Sequence, residues 1–134
     1  MATIAGSNNM MAGIRTSGTA ESGYGVKLGG FHCPSIEFPG RLDELKKEMG
    51  VFSDFVQFEQ EGYITFVALV QEKDTHITWP QISSLRREPH KFFQDLQKFL
   101  SQTKAQYIHQ MSLTGSLGSI SLTILYRPQS LNGV

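Results

Sequence analysis

Residues 63–70, YITFVALV, constrain this chain more than any other stretch. Eight residues rich in β-branched and aromatic side chains, set between the turn-forming EQEG and EKD, read as a strand. Apolar side chains occupy both of its faces, with Ile64, Phe66, Ala68 and Val70 on one and Tyr63, Val67 and Leu69 on the other. Successive side chains of a strand point to opposite sides, so a strand apolar on both belongs inside a sheet that is covered above and below. If helices cover one face, the other must meet another sheet, another subunit or the N-terminal segment. Eight residues fall well short of the roughly 20 needed to cross a bilayer.

The neighbours of this strand extend the pattern. VFSDFVQF before it and THITW after it share the composition, which gives a three-strand antiparallel meander. Pro80 is expected to end the third strand, leaving QISSLRR as a turn or short helical piece. FPGRLDELKKEMG reads as a short helix with Leu42, Leu45 and Met49 on one stripe and Gly50 as its terminator. A longer helix opens at Glu88-Pro89, where proline suits the first helical position. Its Phe92, Phe93, Leu96, Phe99 and Leu100 form a broad core-facing stripe.

QYIHQMSL and SISLTILY, joined by TGSLG, form a C-terminal hairpin. In its last strand Ile120, Leu122, Ile124 and Tyr126 face inward and the serines and threonine between them face out. In its partner strand Tyr107, His109, Met111 and Leu113 are expected on one face, with Ile108, Gln110 and Ser112 on the other. Before all of these, residues 1–23 are dominated by small and polar side chains and read as a flexible arm. The chain therefore divides into an arm at 1–23, a single α+β domain at 24–128 and a tail at 129–134. The expected architecture is a small antiparallel sheet, made of the meander and the hairpin, covered by two helices.

Function is constrained first by what the sequence lacks. The single cysteine, Cys33, cannot form an internal disulfide, and the N-terminus has no basic stretch followed by a long apolar run, so a reduced, cytoplasmic setting is expected. His32 and Cys33 are adjacent on a strand and point apart, and no CxxC, HxxxH or HExxH spacing exists, so no metal site or cofactor is expected. Gly29-Gly30 is not followed by Gly-Lys-Ser/Thr, so it is no phosphate loop, and no serine sits in a GxSxG elbow. The expectation is a protein without catalytic residues.

Charge supplies the positive signal. The net charge is zero, yet residues 1–85 carry six Lys/Arg against ten Asp/Glu, and residues 86–134 carry six against two. The cations gather at Arg86, Arg87, His90 and Lys91, with Lys98 and Lys104 further along the same helix. A helix N-terminus already favours anions, so basic residues there call for a partner. These six residues are the expected binding surface for a protein partner or for phosphates. A pI near 6.9 lies far below the value above about 9 typical of a dedicated nucleic-acid domain. The leading expectation is a non-enzymatic module that self-associates and engages a macromolecular partner, with no membrane role. Binding of single-stranded RNA or DNA along the basic stripe is the alternative, and a small-ligand enzyme stands third.

Overall fold

The computed structural model describes residues 16–73, 79–116 and 118–129. Its elements follow in the order β1 (Ser17–Glu21), β2 (Lys27–Pro34), a 3-10 turn (Ser35–Glu37), α1 (Phe38–Met49), β3 (Asp54–Gln60), β4 (Tyr63–Val70), β5 (Gln81–Arg87), α2 (Pro89–Thr103), β6 (Ala105–Ser116) and β7 (Ser119–Pro128). The α+β class, the two helices and the closing hairpin are those expected from the sequence. The strands, however, divide into two antiparallel sheets, one in the order β1-β2-β4-β3 and the other in the order β5-β7-β6.

YITFVALV is β4, an interior strand paired with β2 on one side and β3 on the other. Both of its faces are sealed by the chain itself. Ile64, Phe66 and Ala68 join Phe31, Cys33, Leu45 and Met49 in a core beneath α1. Val67 and Leu69 join the larger core, where α2 and the second sheet supply Phe92, Leu96, Leu100, Leu122 and Ile124. No second subunit is needed to cover this strand, because the inner face of the hairpin sheet does it.

α1 buries Leu45 and Met49 and ends at Gly50, whose φ of 85° suits glycine and whose N–H donates to the Lys46 carbonyl. α2 begins after Glu88 in extended conformation, with Pro89 at its first position, and buries all five residues of the expected stripe. It lies between the two sheets, packed along β1 on one flank and β5 on the other.

Two glutamine side chains stand in for missing strands at sheet boundaries. Gln97 of α2 accepts from the Glu21 N–H at 2.9 Å and donates to the Glu21 carbonyl at 2.8 Å, satisfying the last residue of β1. Gln71, just beyond β4, accepts from the Ile108 N–H and donates to the Ile108 carbonyl, both at 2.8 Å, tying the first sheet to β6. β3 and β6 lie side by side where the sheets meet. A side chain at Gly115 would enter the Phe58 ring there, with its Cβ 2.4 Å from the ring atoms.

Three readings change on this frame. Ser17–Glu21, inside the segment read as an arm, is a strand; residues 1–15 and the tail from 130 lie outside the described residues. Only Ala20 of that strand is fully buried, so its composition resembles that of a solvated segment. QISSLRR is β5, not a turn or helical piece, and it pairs with β7 of the hairpin instead of extending the meander. THITW falls on 75–79, of which 75–78 lie outside the described residues, and Pro80 immediately precedes β5. In β6, irregularities between Ala105 and Tyr107 and between Ile108 and Gln110 shift the alternation, so Ile108 and Met111 are both buried and His109 is exposed.

Candidate functional site

β5 is the outer strand of its sheet, paired with β7 alone. In an antiparallel edge strand alternate residues bond to the neighbour, and those between turn their N–H and C=O outward. The Arg86 carbonyl accepts Arg87 Nη1 at 2.7 Å, which places Arg86, Ser84 and Ile82 in the outward set. Ser84 Oγ also meets Thr123 Oγ1 across the strands at 2.8 Å, the closeness expected of a non-bonded backbone pair. Among the described residues no strand pairs with this edge. Two large apolar side chains stand in water at its start, Trp79 at 93% and Ile82 at 71% exposure.

A groove of about 350 Å³ runs between this edge and α2. Ser83, Leu85 and Arg87 line it from the strand, and Asp95, Lys98 and Phe99 line it from the helix. Leu85 and Phe99 are buried at its base and held by the core, and the surface that the groove presents is mainly polar. Arg87 Nε donates to Asp95 Oδ2 at 2.8 Å, and with the Arg86 carbonyl this ties the guanidinium across one end of the edge. The pair is half exposed, and such pairs contribute no more than about 1 kcal/mol, so it shapes the groove more than it stabilises the fold. Lys98 forms no ion pair among the described residues.

The six basic residues singled out in the sequence do not form one stripe. Arg87 and Lys98 share the groove, and Lys91 lies exposed on the flank of α2 that carries Asp95 and Lys98. Arg86 is exposed on the outer face of β5, opposite in direction to the buried Leu85. His90 is half-buried in the first turn of α2. Lys104 caps the far end of the helix in left-handed conformation, about 20 Å from Lys91 at 1.5 Å per residue. Sequence reasoning missed Ser84, Ile82 and Asp95. The spacing of Asp95, four residues after Lys91 and three before Lys98, is the one signal that pointed to a charged flank instead of a purely basic one.

A second cleft, of about 410 Å³, opens between the first sheet and the start of α2, with His32, Phe58, Tyr63, Pro89 and Ile120 among its walls. The His32 ring stacks on Tyr63 at 5.2 Å, and its Nδ1 shares a hydrogen bond with the buried Thr65 Oγ1 at 2.8 Å. Burial holds the His32 pKa below its ordinary value, so the ring is neutral at neutral pH. Cys33 points the other way, into the core under α1, and the two side chains do not meet. Burial pushes its thiol pKa up, an effect that Arg41 opposes and Glu37 reinforces, which keeps the sulfur protonated and unreactive. Among the described residues no three His, Cys, Asp or Glu side chains gather as metal ligands, and no helix is long and apolar enough to cross a membrane.

No family model, curated protein or solved structure matches this chain. The functional reading therefore rests on the geometry of the β5 edge and its groove.

Proposed function

We propose that this chain is a non-enzymatic binding and assembly module that joins another polypeptide by strand addition at the edge of β5. The observation that supports this reading is the open edge itself. Outward N–H and C=O groups at Ile82 and Ser84 lie beside a groove floored by Leu85 and Phe99. Main-chain bonds along such an edge supply affinity, and pockets for alternate side chains supply specificity. An open edge is a liability in a protein with no use for it, and at the end of β1 Gln97 takes up both backbone groups of Glu21. On β5, among the described residues, no side chain does this at Ile82 or Ser84, and the Arg87 guanidinium takes up the Arg86 carbonyl.

Self-association belongs to the same reading, but at this edge and not on the faces of β4, which the chain covers by itself. A second copy is the first polypeptide available to the edge in a pure solution. Light scattering is expected to give a mass that rises with concentration above the 15.0 kDa of one chain. Ser84→Pro removes an outward N–H without touching the ladder to β7, and it is expected to hold the mass at one chain. A mass independent of concentration, or one unaffected by Ser84→Pro, contradicts the reading. A cytoplasmic setting remains part of the reading and rests on Cys33 being free and buried.

Single-stranded nucleic acid is the weaker reading. Arg87 is already neutralised by Asp95, and Arg86, His90 and Lys104 are dispersed over different faces and ends. The same light-scattering run with nuclease separates the two, since strand addition between protein chains is indifferent to nuclease.

A further inference from the structure

We infer that the groove between β5 and α2 takes an extended, acidic segment of a partner protein, an inference that rests on the strand-addition reading and names its ligand. Three features define what fits. The backbone groups open to pairing are those of Ile82 and Ser84 and the N–H of Arg86, because the Arg87 guanidinium occupies the Arg86 carbonyl. The bound stretch is therefore a few residues long and runs up to, but not past, Arg87.

Every second side chain of an added strand turns toward α2, where the polar walls of Ser83, Lys98 and Gln102 surround the buried Leu85 and Phe99. Small β-branched residues suit that space, threonine above all because its hydroxyl can bond to those walls, since the groove holds only about 350 Å³.

Charge then selects among such segments. Arg87 and Asp95 cancel within the groove, which leaves Lys98 as its uncompensated charge among the described residues. Lys91, exposed on the same helical flank two turns before Lys98, adds a second cation along that flank. A carboxylate on the incoming strand meets Lys98 as its complement. A second copy of this chain fits less well, because two β5 edges pairing antiparallel about Ser84 set Arg86 of each opposite Ile82 of the other, and QISSLRR carries no carboxylate to meet Lys98. Self-pairing is thus the weaker event, and an acidic segment displaces it.

Trp79 makes the test direct. It is the only tryptophan in the chain and stands almost fully exposed two residues before β5. The probe is a short capped peptide alternating threonine and valine around one central glutamate, compared with the same peptide carrying lysine there. The glutamate peptide is expected to shift Trp79 emission to the blue and to bind about fivefold more tightly than the lysine peptide at low salt. Lys98→Glu, a surface change that leaves the core intact, is expected to reverse that preference. Ser84→Pro is expected to abolish binding of both peptides, with its circular dichroism melt showing that the fold is retained. Equal binding of the two peptides, lost in Ser84→Pro, overturns the acidic preference and leaves strand addition standing. Binding indifferent to Ser84→Pro overturns both. If neither peptide binds while Ser84→Pro still abolishes self-association, the acidic-segment inference alone falls.

Discussion

Gly30→Ala is expected to cost at least about 3 kcal/mol, the upper end of what overpacking a core costs. Gly30 sits in β2 opposite Val67, in the middle of the first sheet. A Cβ there would stand 2.0 Å from the Phe66 carbonyl oxygen and 3.0 Å from the Phe66 carbonyl carbon and Val67 Cα. These are backbone atoms of the most deeply held strand, so no side-chain rotation relieves the clash. β2 must move away from β4, which loosens ladder bonds on both sides of the substitution and disturbs the packing of Phe31 against Phe66, whose rings stack at 5.4 Å. Against a total stability of about 5–15 kcal/mol for a domain of this kind, one methyl group removes a large share. Urea denaturation measures it as a lowered midpoint. Gly29 next door offers a control, because a Cβ there meets chiefly the Met49 side chain and the Thr19 methyl, which can shift.

Phe92→Ala is expected to cost about 3–5 kcal/mol, the range for truncating a fully buried phenylalanine. Phe92 has no exposed surface and meets Phe93 edge to face at 4.9 Å. It lies in the first turn of α2, where helix, both sheets and the start of the second cleft converge. Collapse around the vacated space is resisted by β strands on two sides, so most of the cavity should persist. The unfolding midpoint is expected to fall with little change in the slope against urea, since the surface exposed on unfolding is nearly the same. Because α2 also forms one wall of the β5 groove, this variant should weaken strand addition as well, whereas Lys98→Glu should leave the midpoint nearly unchanged.

The helices and β4 were legible because burial there follows a periodicity. Leu45 and Met49, the α2 stripe and the two faces of YITFVALV all face a core, and the core dictates their chemistry. β1 and β5 were not, and for one reason: each is an edge strand whose composition answers to water as much as to packing. SGTAE buries only Ala20, and QISSLRR buries only Leu85, so neither shows an alternation strong enough to read. Their outer backbone groups also decide the candidate site, and backbone groups leave no mark on a sequence. The basic cluster was visible as residue types, but its meaning depended on Asp95 folding back onto Arg87 at 2.8 Å, a contact between elements that spacing along one helix does not disclose. In β6 the two irregularities broke the period-two reading, which explains why Ile108 faces the core and His109 does not.

Amide hydrogen exchange along β5 tests the open edge most directly. In dilute protein the amides of Ile82, Ser84 and Arg86 are expected to exchange freely, while that of Leu85, turned toward β7, stays protected. Adding the glutamate peptide should slow the first three and leave Leu85 as it was. If Ile82, Ser84 and Arg86 are already protected in the dilute chain, or exchange no more slowly with the peptide bound, β5 is not the edge at which another chain joins.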